Sequence, residues 1–374
     1  MKAAILFVIL QTDALANGGL QSIGEVMRRL KHHRPIVLTN RESAFTQSWR
    51  QAGIEVTVVP EQASGGFRRD PVGTLRTYAR YRRAVRRLLA GSGARVVHAN
   101  EPLAFQLAVA AAKQSGARII LNLRDTVDPA RRPPTAKFRL IFGAADHVLY
   151  LSHDMAERWR AVAGNAQRAF SVTYSIVDAA RFGPSPMSAV EPPVVLVPGI
   201  FWPKKGQLDF IRNVVPKLAV RGIRTWFAGD FEPAANGYAA DCAAAAGPFS
   251  DWITFLGYRT DLPELFQQAS AVAVPSRHEG LMRGMIEAMA CGCPVVSFDV
   301  CSAREVLEEE SGAAGAVVPH GDHDAMAEAL IRYATDAAAR NAAGGAGIAA
   351  ARELFDPDRV VERYESVYRR LAEA

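Results

Sequence analysis

The chain has 374 residues, 49% hydrophobic and 22% charged, with a formal net charge of +6. That composition excludes a disordered or fibrous polypeptide, and the length suits two domains, each with its own core. No apolar run approaches the ~20 residues that a membrane span needs.

The opening MKAAILFVIL is basic, then apolar, and its apolar run stops at Gln11. It reads as a first buried strand rather than a signal peptide. Further apolar strand candidates follow at 35–40, 54–59, 95–100, 118–123 and 147–152, most of them separated by helix-length segments. Strands without polar alternation, alternating with helices, predict an α/β domain around a parallel sheet covered on both faces. Gly18 and Gly19 enter the first helix, where a glycine pair lets backbone approach a ligand. Asn100 and Glu101 end one strand, and Asn122-Leu123-Arg124-Asp125 ends the next. Strand C-termini are where ligands sit in open α/β sheets.

Residues 1–185 carry 27 Lys+Arg against 13 Asp+Glu, and the remainder 17 against 25, so +14 and −8 sum to +6. This asymmetry predicts an anionic partner for the first half. Its densest part, 67–89, has eight arginines and one acid. Leu75, Tyr78, Val85, Leu88 and Leu89 fall at helical spacing, which predicts a packed stripe opposite an Arg-rich face. That face is either simply solvated or, over 68–87, a patch that meets an anionic membrane surface. No nucleic-acid module accompanies the charge, so no nucleic-acid partner is expected.

The segment 185–193, rich in Pro and Ser, reads as a linker. Beyond it, strands at 194–200, 224–230, 252–258, 271–276, 294–299 and 315–319 repeat the pattern. The domains are therefore expected at 1–185 and 186–355. Pro275 to Asp299 holds a strand end, a turn with Glu279 and Gly280, a helical run from Met285 to Ala290, a stop at Gly292 and Pro294, and the strand VVSF. That is one βαβ unit, and its helix N-terminus opens at the C-terminal edge of the sheet, ready for a phosphate. An acid there suits a cationic or hydroxyl-rich ligand, or else Glu279 only steadies the helix dipole. Of four cysteines, Cys242, Cys291, Cys293 and Cys301, three cluster, but C-x-C without a paired His is not a usual zinc spacing. Buried free thiols are expected, and with them a cytoplasmic chain. GGAG at 344–347 lies in an Ala-rich helical run rather than after a strand, so it is no dinucleotide loop, while HGDHD at 320–324 invites a metal reading.

The run from Glu279 through Glu287 to Pro294 resembles the EGxxxxxxEAMAxGxPVV signature of retaining GT-B glycosyltransferases of the family 4, group 1 type. GIFWPKKGQLDFIRNVVPKL, with Gly199, Lys204, Lys205 and Gly206, resembles that family's GRxxxxKGxxxLIxAxxxL, with Ile200 in place of the usual Arg. LGYRTDLPELFQQASAVAVPS resembles its FLG…VxPS run, and VTYSIVDAARF its VxxNGVDxxxF segment, with Ser175 and Ile176 for Asn-Gly. The Gly18-Gly19 loop matches its double-glycine loop, and HGDHD resembles its VPPGD turn before a helix, which implies a turn there rather than a metal site. Arg124-Asp125 stands where many members have His-Asp, and EGLMRGMIE departs from EGFGxPxLE at Met282.

The resemblance implies a GT-B fold of two facing Rossmann-like domains with an interdomain cleft, and a terminal helix, 356–374, crossing back to the first domain. It implies transfer of a sugar, with retention, from a nucleoside-diphosphate sugar (UDP- or GDP-linked) to a glycan or lipid-linked acceptor in a surface polysaccharide or glycolipid pathway. No cofactor or metal is implied. By the same resemblance Glu279 orients the sugar, Glu287 binds the ribose and Lys205 neutralises the diphosphate. Gly280, Leu281 and Met282 offer backbone at the helix start, Arg283 or Lys204 replaces the missing cation, and Tyr258 and Arg259 lie near the base. Arg124 and Asp125 face the reacting groups; Asn100 and Glu101 are acceptor-side candidates. A peripheral position on the inner face of the plasma membrane would follow. The alternatives are a GT-B sugar-nucleotide epimerase and a non-catalytic sugar-nucleotide or glycan-binding protein.

Overall fold

The computed structural model describes residues 2–11, 18–60, 69–129, 135–166, 169–185 and 190–373. The chain divides into two compact units, Met1–Ile176 with Pro357–Ala374, and Val177–Asp356.

The first unit is built on strands β1 (Ala3–Ile9), β2 (His33–Thr39), β3 (Glu55–Val58), β4 (Val96–Asn100), β5 (Arg118–Asn122), β6 (His147–Tyr150) and β7 (Phe170–Val172). All pair in parallel, in the order β3-β2-β1-β4-β5-β6-β7. The order reverses between β1 and β4, so their carboxyl ends flank the switch point where open α/β sheets take ligands. The central strands are buried on both faces, as their apolar runs require. The helix Pro357–Glu373 buries Val360, Tyr364, Val367 and Tyr368 in this core beside Phe7 and Trp49.

The second unit holds β8 (Val194–Pro198), β9 (Arg224–Ala228), β10 (Ile253–Gly257), β11 (Ala271–Val274), β12 (Val295–Phe298) and β13 (Gly315–Val318). They are also parallel, ordered β10-β9-β8-β11-β12-β13. The switch point is β8/β11. The helix Arg283–Ala290 follows β11 and packs on the helix Ala337–Leu354. That contact explains the GGAG run: a Cβ on Gly344 would lie 2.3 Å from the Gly292 carbonyl oxygen, and one on Gly347 3.2 Å from that of Met289.

Three details differ from expectation. The first unit ends at Ile176 rather than at 185, because Val177 donates its N–H to the Phe355 carbonyl and the Phe182 ring packs at a tilt against Phe266 of the second unit. Residues 186–189 of the expected linker lie outside the described residues. The strand β7 is additional. In the Arg-rich helix, Pro71–Ser92, the buried stripe is Gly73, Thr77, Tyr81, Val85 and Leu89, at a spacing of four. Leu75 is 60% exposed, since it falls on the opposite side of the helix from Thr77 and Tyr81. Residues 67 and 68 of that segment lie outside the described residues. No helix among the described residues is long and apolar enough to cross a membrane. All four cysteines are buried thiols outside any disulfide, and burial pushes the Cys242 and Cys291 thiols up to about 12.

Candidate functional site

In the second unit the loops leaving β8 and β11 meet. Gly199 takes φ 138° directly after β8, and the short helix Pro203–Lys205 ends at Gly206 with φ 74°. Gly206 passes so close to the end of β11 that a Cβ would sit 2.0 Å from the Pro275 carbonyl oxygen. The Arg277 N–H donates to the Lys204 carbonyl at 2.7 Å. This packing delivers Lys205 to the β11 loop, where its Nζ lies 2.6 Å from Glu279 Oε1. Both side chains are largely buried. The contact is an ion pair rather than a well-aligned hydrogen bond, for Oε1 finds no hydrogen-bond partner of acceptable angle.

Beyond Glu279, the Gly280 carbonyl accepts from Ser302 Oγ at 2.8 Å, and Leu281 and Met282 are buried. Met282 precedes the helix Arg283–Ala290 in extended conformation and offers no side-chain cap, so no side chain of the cap residue satisfies the first-turn N–H groups. Gly284 keeps that helix start against β8: a Cβ there would meet Pro198 Cγ at 3.2 Å. From the first helical position Arg283 Nη2 donates to Glu287 Oε1, one turn further on, at 2.7 Å, while its Nη1 is buried without a hydrogen-bond partner. A cation with an unsatisfied donor beside a buried carboxylate suits a ligand bearing both phosphate and hydroxyl groups.

Tyr258 and Arg259 follow β10, two strands from β8. Tyr258 is 67% exposed. Arg259 is engaged by Asp261, Nε donating to Oδ1 at 2.7 Å, with a second contact from Nη2.

The carboxyl ends of the first sheet carry the other candidates. Asn100 and Asn122 are register partners, and Asn122 Nδ2 donates to Asn100 Oδ1 at 3.1 Å in a buried pair. Glu101 takes φ 78° and ψ 158°, a region costly for any residue but glycine, and such strain concentrates at functional sites. Its carboxylate accepts the Arg124 N–H at 2.7 Å. Burial pushes its pKa up to about 7, against the backbone N–H of Arg124, which acts the other way. Arg124 Nη2 donates to Ser175 Oγ at 3.3 Å, and its Nε and Nη1 are buried without hydrogen-bond partners. Asp125 is exposed, and its carbonyl accepts the Trp159 indole N–H at 2.9 Å. Gly18 and Gly19 open the helix Gly18–Arg29; residues 12–17 before them lie outside the described residues.

Ser302, Ser175 and the Arg277 backbone tie are contacts that spacing did not reveal. Trp202, 55% exposed beside the lysine loop, is another feature without a sequence signal beyond its place after β8. His320 and His323 both pack on Phe298, with ring centroids 5.5 and 5.4 Å away.

Residues 18–173 match the description "Glycosyl transferase 4-like domain", and residues 192–336 match "Glycosyl transferases group 1". The chain is similar to O-antigen chain mannosyltransferase B of Escherichia coli, 37% identical over 110 residues, covering 29% of this chain and 28% of that protein. It is also similar to the lipopolysaccharide core biosynthesis mannosyltransferase LpsB of Rhizobium meliloti (strain 1021), 30% identical over 128 residues, covering 34% and 36%. The matched stretches thus span well under half the length of these curated relatives. Among solved structures, Anabaena Alr3699/HepE in complex with UDP gives a TM-score of 0.81 at 20% identity, covering 98% of this chain and 99% of that one. At that identity the likeness speaks for the fold alone. With one domain description on each half, and with two parallel-sheet Rossmann-like units, this chain belongs to the group 1 glycosyltransferases of the GT-B fold.

Proposed function

We propose that the protein transfers a sugar, with retention at the anomeric carbon, from a nucleoside-diphosphate sugar to a hydroxyl of a glycan or lipid-linked acceptor. The observation that carries this reading is the Lys205–Glu279 ion pair, 2.6 Å, at the β8/β11 switch point. A diphosphate entering there meets a lysine already aimed at the site and the uncapped start of the helix Arg283–Ala290. Negative charge developing on a leaving phosphate is stabilised by fixed cations and N–H groups without reorganisation. Glu279, relieved of Lys205 by the diphosphate, accepts from sugar hydroxyls. Glu287 accepts from the ribose, and Arg283 turns its spare Nη1 to phosphate. In this reading Gly199, Lys204 and Gly280 shape the diphosphate pocket, and Tyr258, with Arg259 steadied by Asp261, borders the base.

The second unit is thereby the donor domain, and the first the acceptor domain. In the first, the strained Glu101, the Asn100–Asn122 pair, Arg124 and Asp125 form the acceptor edge, with the Gly18-Gly19 backbone close by on the switch-point side. Glu101, poised near pH 7, can take or hold a proton from an acceptor hydroxyl. The mannosyltransferase names of the two curated relatives, and the UDP named with the solved neighbour, direct the donor search to GDP- and UDP-sugars. The relatives' pathways favour a lipopolysaccharide or related surface glycolipid acceptor. An acceptor of that kind would bring the protein to the inner face of the plasma membrane, with the exposed arginines and Val72 and Leu75 of the helix Pro71–Ser92 against anionic lipid.

Donor binding and slow donor hydrolysis across a GDP- and UDP-sugar panel, in wild type and Glu279→Ala, test the reading. One nucleotide sugar released slowly, and not by the variant, is the expected result. Failure of every nucleotide sugar to bind would refute it.

A further inference from the structure

Away from the sheet edges, the terminal helix Pro357–Glu373 meets the start of β2 through a carboxylate that is held at one oxygen only. Glu365 is fully buried. Its Oε1 accepts the backbone N–H groups of His32 at 2.6 Å and His33 at 3.3 Å, and faces His33 Nδ1 at 3.3 Å. Its Oε2 is buried with no hydrogen-bond partner, and the His32 Nε2 lies 3.9 Å from it. A buried carboxylate oxygen left without a partner is costly, and the clamp on Oε1 fixes where Oε2 points. Glu362, three residues earlier on the helix, lies on the same face. Ligand atoms of His32, Glu362 and Glu365 all fall within 4.8 Å of one another.

We propose that His32, Glu362 and Glu365 bind one divalent transition-metal ion that pins the terminal helix to the first sheet. One imidazole nitrogen and two carboxylate oxygens, with no thiolate, suit zinc or its neighbours rather than a thiophilic ion. Three protein ligands leave the fourth tetrahedral position to water. Zinc–ligand distances are about 2.0–2.2 Å, so the mobile partners must close in on Oε2. The side chains of His32 and Glu362 are 62% and 56% exposed, free to change rotamer, while Glu365 stays clamped. Two cations oppose the site. Arg369 pairs with Glu362, and Lys31 pairs with the nearby Asp358. Both pairs are solvent-exposed, where an ion pair contributes little, and an incoming ion displaces Arg369 alone. The ion would join residues at opposite ends of the chain, which only the fold brings together, so its effect appears as stability of the first unit and does not depend on the transfer reaction.

The full-length protein, stripped with a chelator, is titrated with zinc alone while thermal unfolding and calorimetric binding are followed. One zinc per chain and a rise in Tm are expected, because binding energy at a site formed only in the folded chain is folding energy. His32→Ala and Glu362→Ala alter exposed side chains and leave the core intact; each should weaken zinc binding at least about tenfold, by analogy with the loss of groups that merely support a metal ligand. Glu365→Gln keeps an acceptor for the two backbone N–H groups and should behave alike. No zinc uptake, or uptake undiminished in His32→Ala and Glu362→Ala, overturns the proposal. So does a cobalt-loaded protein whose absorption shows thiolate ligation, which would place the ion at the cysteines.

Discussion

Gly206 and Pro275 come so close that no side chain fits between them: a Cβ on Gly206 would lie 2.0 Å from the Pro275 carbonyl oxygen. This approach carries Lys205 across from the β8 loop to Glu279 on the β11 loop. Gly206 also holds φ 74°. Gly206→Ala should therefore combine a left-handed backbone penalty of about 1–2 kcal/mol with a clash that pushes Lys205 off Glu279. Gly222→Ala is the control, having φ 71° but nothing within 4 Å of the added Cβ. Chemical denaturation should show Gly222→Ala losing only the backbone penalty and Gly206→Ala more, and only Gly206→Ala should lose nucleotide-sugar binding. Equal loss of stability, with donor binding intact in both, would mean that the close approach does not position the lysine.

The ion pair itself makes a non-additive prediction. Lys205→Ala leaves Glu279 buried without its cation, and a charge stranded in this way is more harmful than the missing attraction. The double variant Lys205→Ala/Glu279→Ala should then be more stable than Lys205→Ala alone, while both lose turnover. If Lys205 stabilises the leaving diphosphate, its removal should lower kcat by about 10²–10³-fold. Arg283→Ala should raise donor KM and lower kcat less than Lys205→Ala does, because Arg283 is shared between Glu287 in the ribose part of the site and the phosphate that its spare Nη1 meets. Lys205→Arg should rescue poorly, since a planar guanidinium cannot occupy the place of a compact ammonium.

Much of this architecture was legible in the residues. Strands such as β8 and β11 announced themselves as short apolar runs bounded by turn residues, and parallel pairing followed from their lack of alternation. The strand β7 did not, because Phe170–Val172 is a short edge strand of only partial burial. Thr77 and Tyr81 carry the buried stripe of the Arg-rich helix, and a polar-looking threonine hid the true phase from a reading based on Leu75. Glu279, Glu287 and Lys205 could be picked out by motif, but the contact between Lys205 and Glu279 depends on strand order, which the residues do not spell out. The Ser302 tie to Gly280 and the Ser175 tie to Arg124 were invisible for the same reason: a serine reaching across a loop has no periodicity.

Two neighbouring glycines in the helix Ala337–Leu354 should respond to alanine with opposite signs. Gly345 is exposed, with nothing within 4 Å of an added Cβ, so Gly345→Ala should stabilise the helix by about 0.5–1 kcal/mol. Gly344→Ala would put a methyl group 2.3 Å from the Gly292 carbonyl oxygen and should cost about 1–3 kcal/mol by overpacking. Because the opposing helix carries Glu287, Gly344→Ala should also weaken nucleotide binding, whereas Gly345→Ala should not. Equal stabilisation by both would show that the two helices pack less closely than the glycine contacts indicate.

Glu101 gives the pH dependence. Burial raises its pKa from 4.5 to about 7, so the folded protein holds a proton there that the unfolded chain has already released. Below pH 4.5 both states are protonated and the residue has no effect; between about 4.5 and 7 its contribution to stability falls as pH rises; above 7 the loss is complete. Glu101→Gln keeps an acceptor for the Arg124 N–H and removes the titration, so its stability relative to wild type should climb through that window and then level off. If Glu101 also serves the acceptor hydroxyl, wild-type kcat/KM should rise through an inflection near pH 7 that the glutamine variant lacks. A variant that reproduces the stability change but keeps the kinetic inflection would assign Glu101 to the architecture of the β4 edge and leave proton handling to another group.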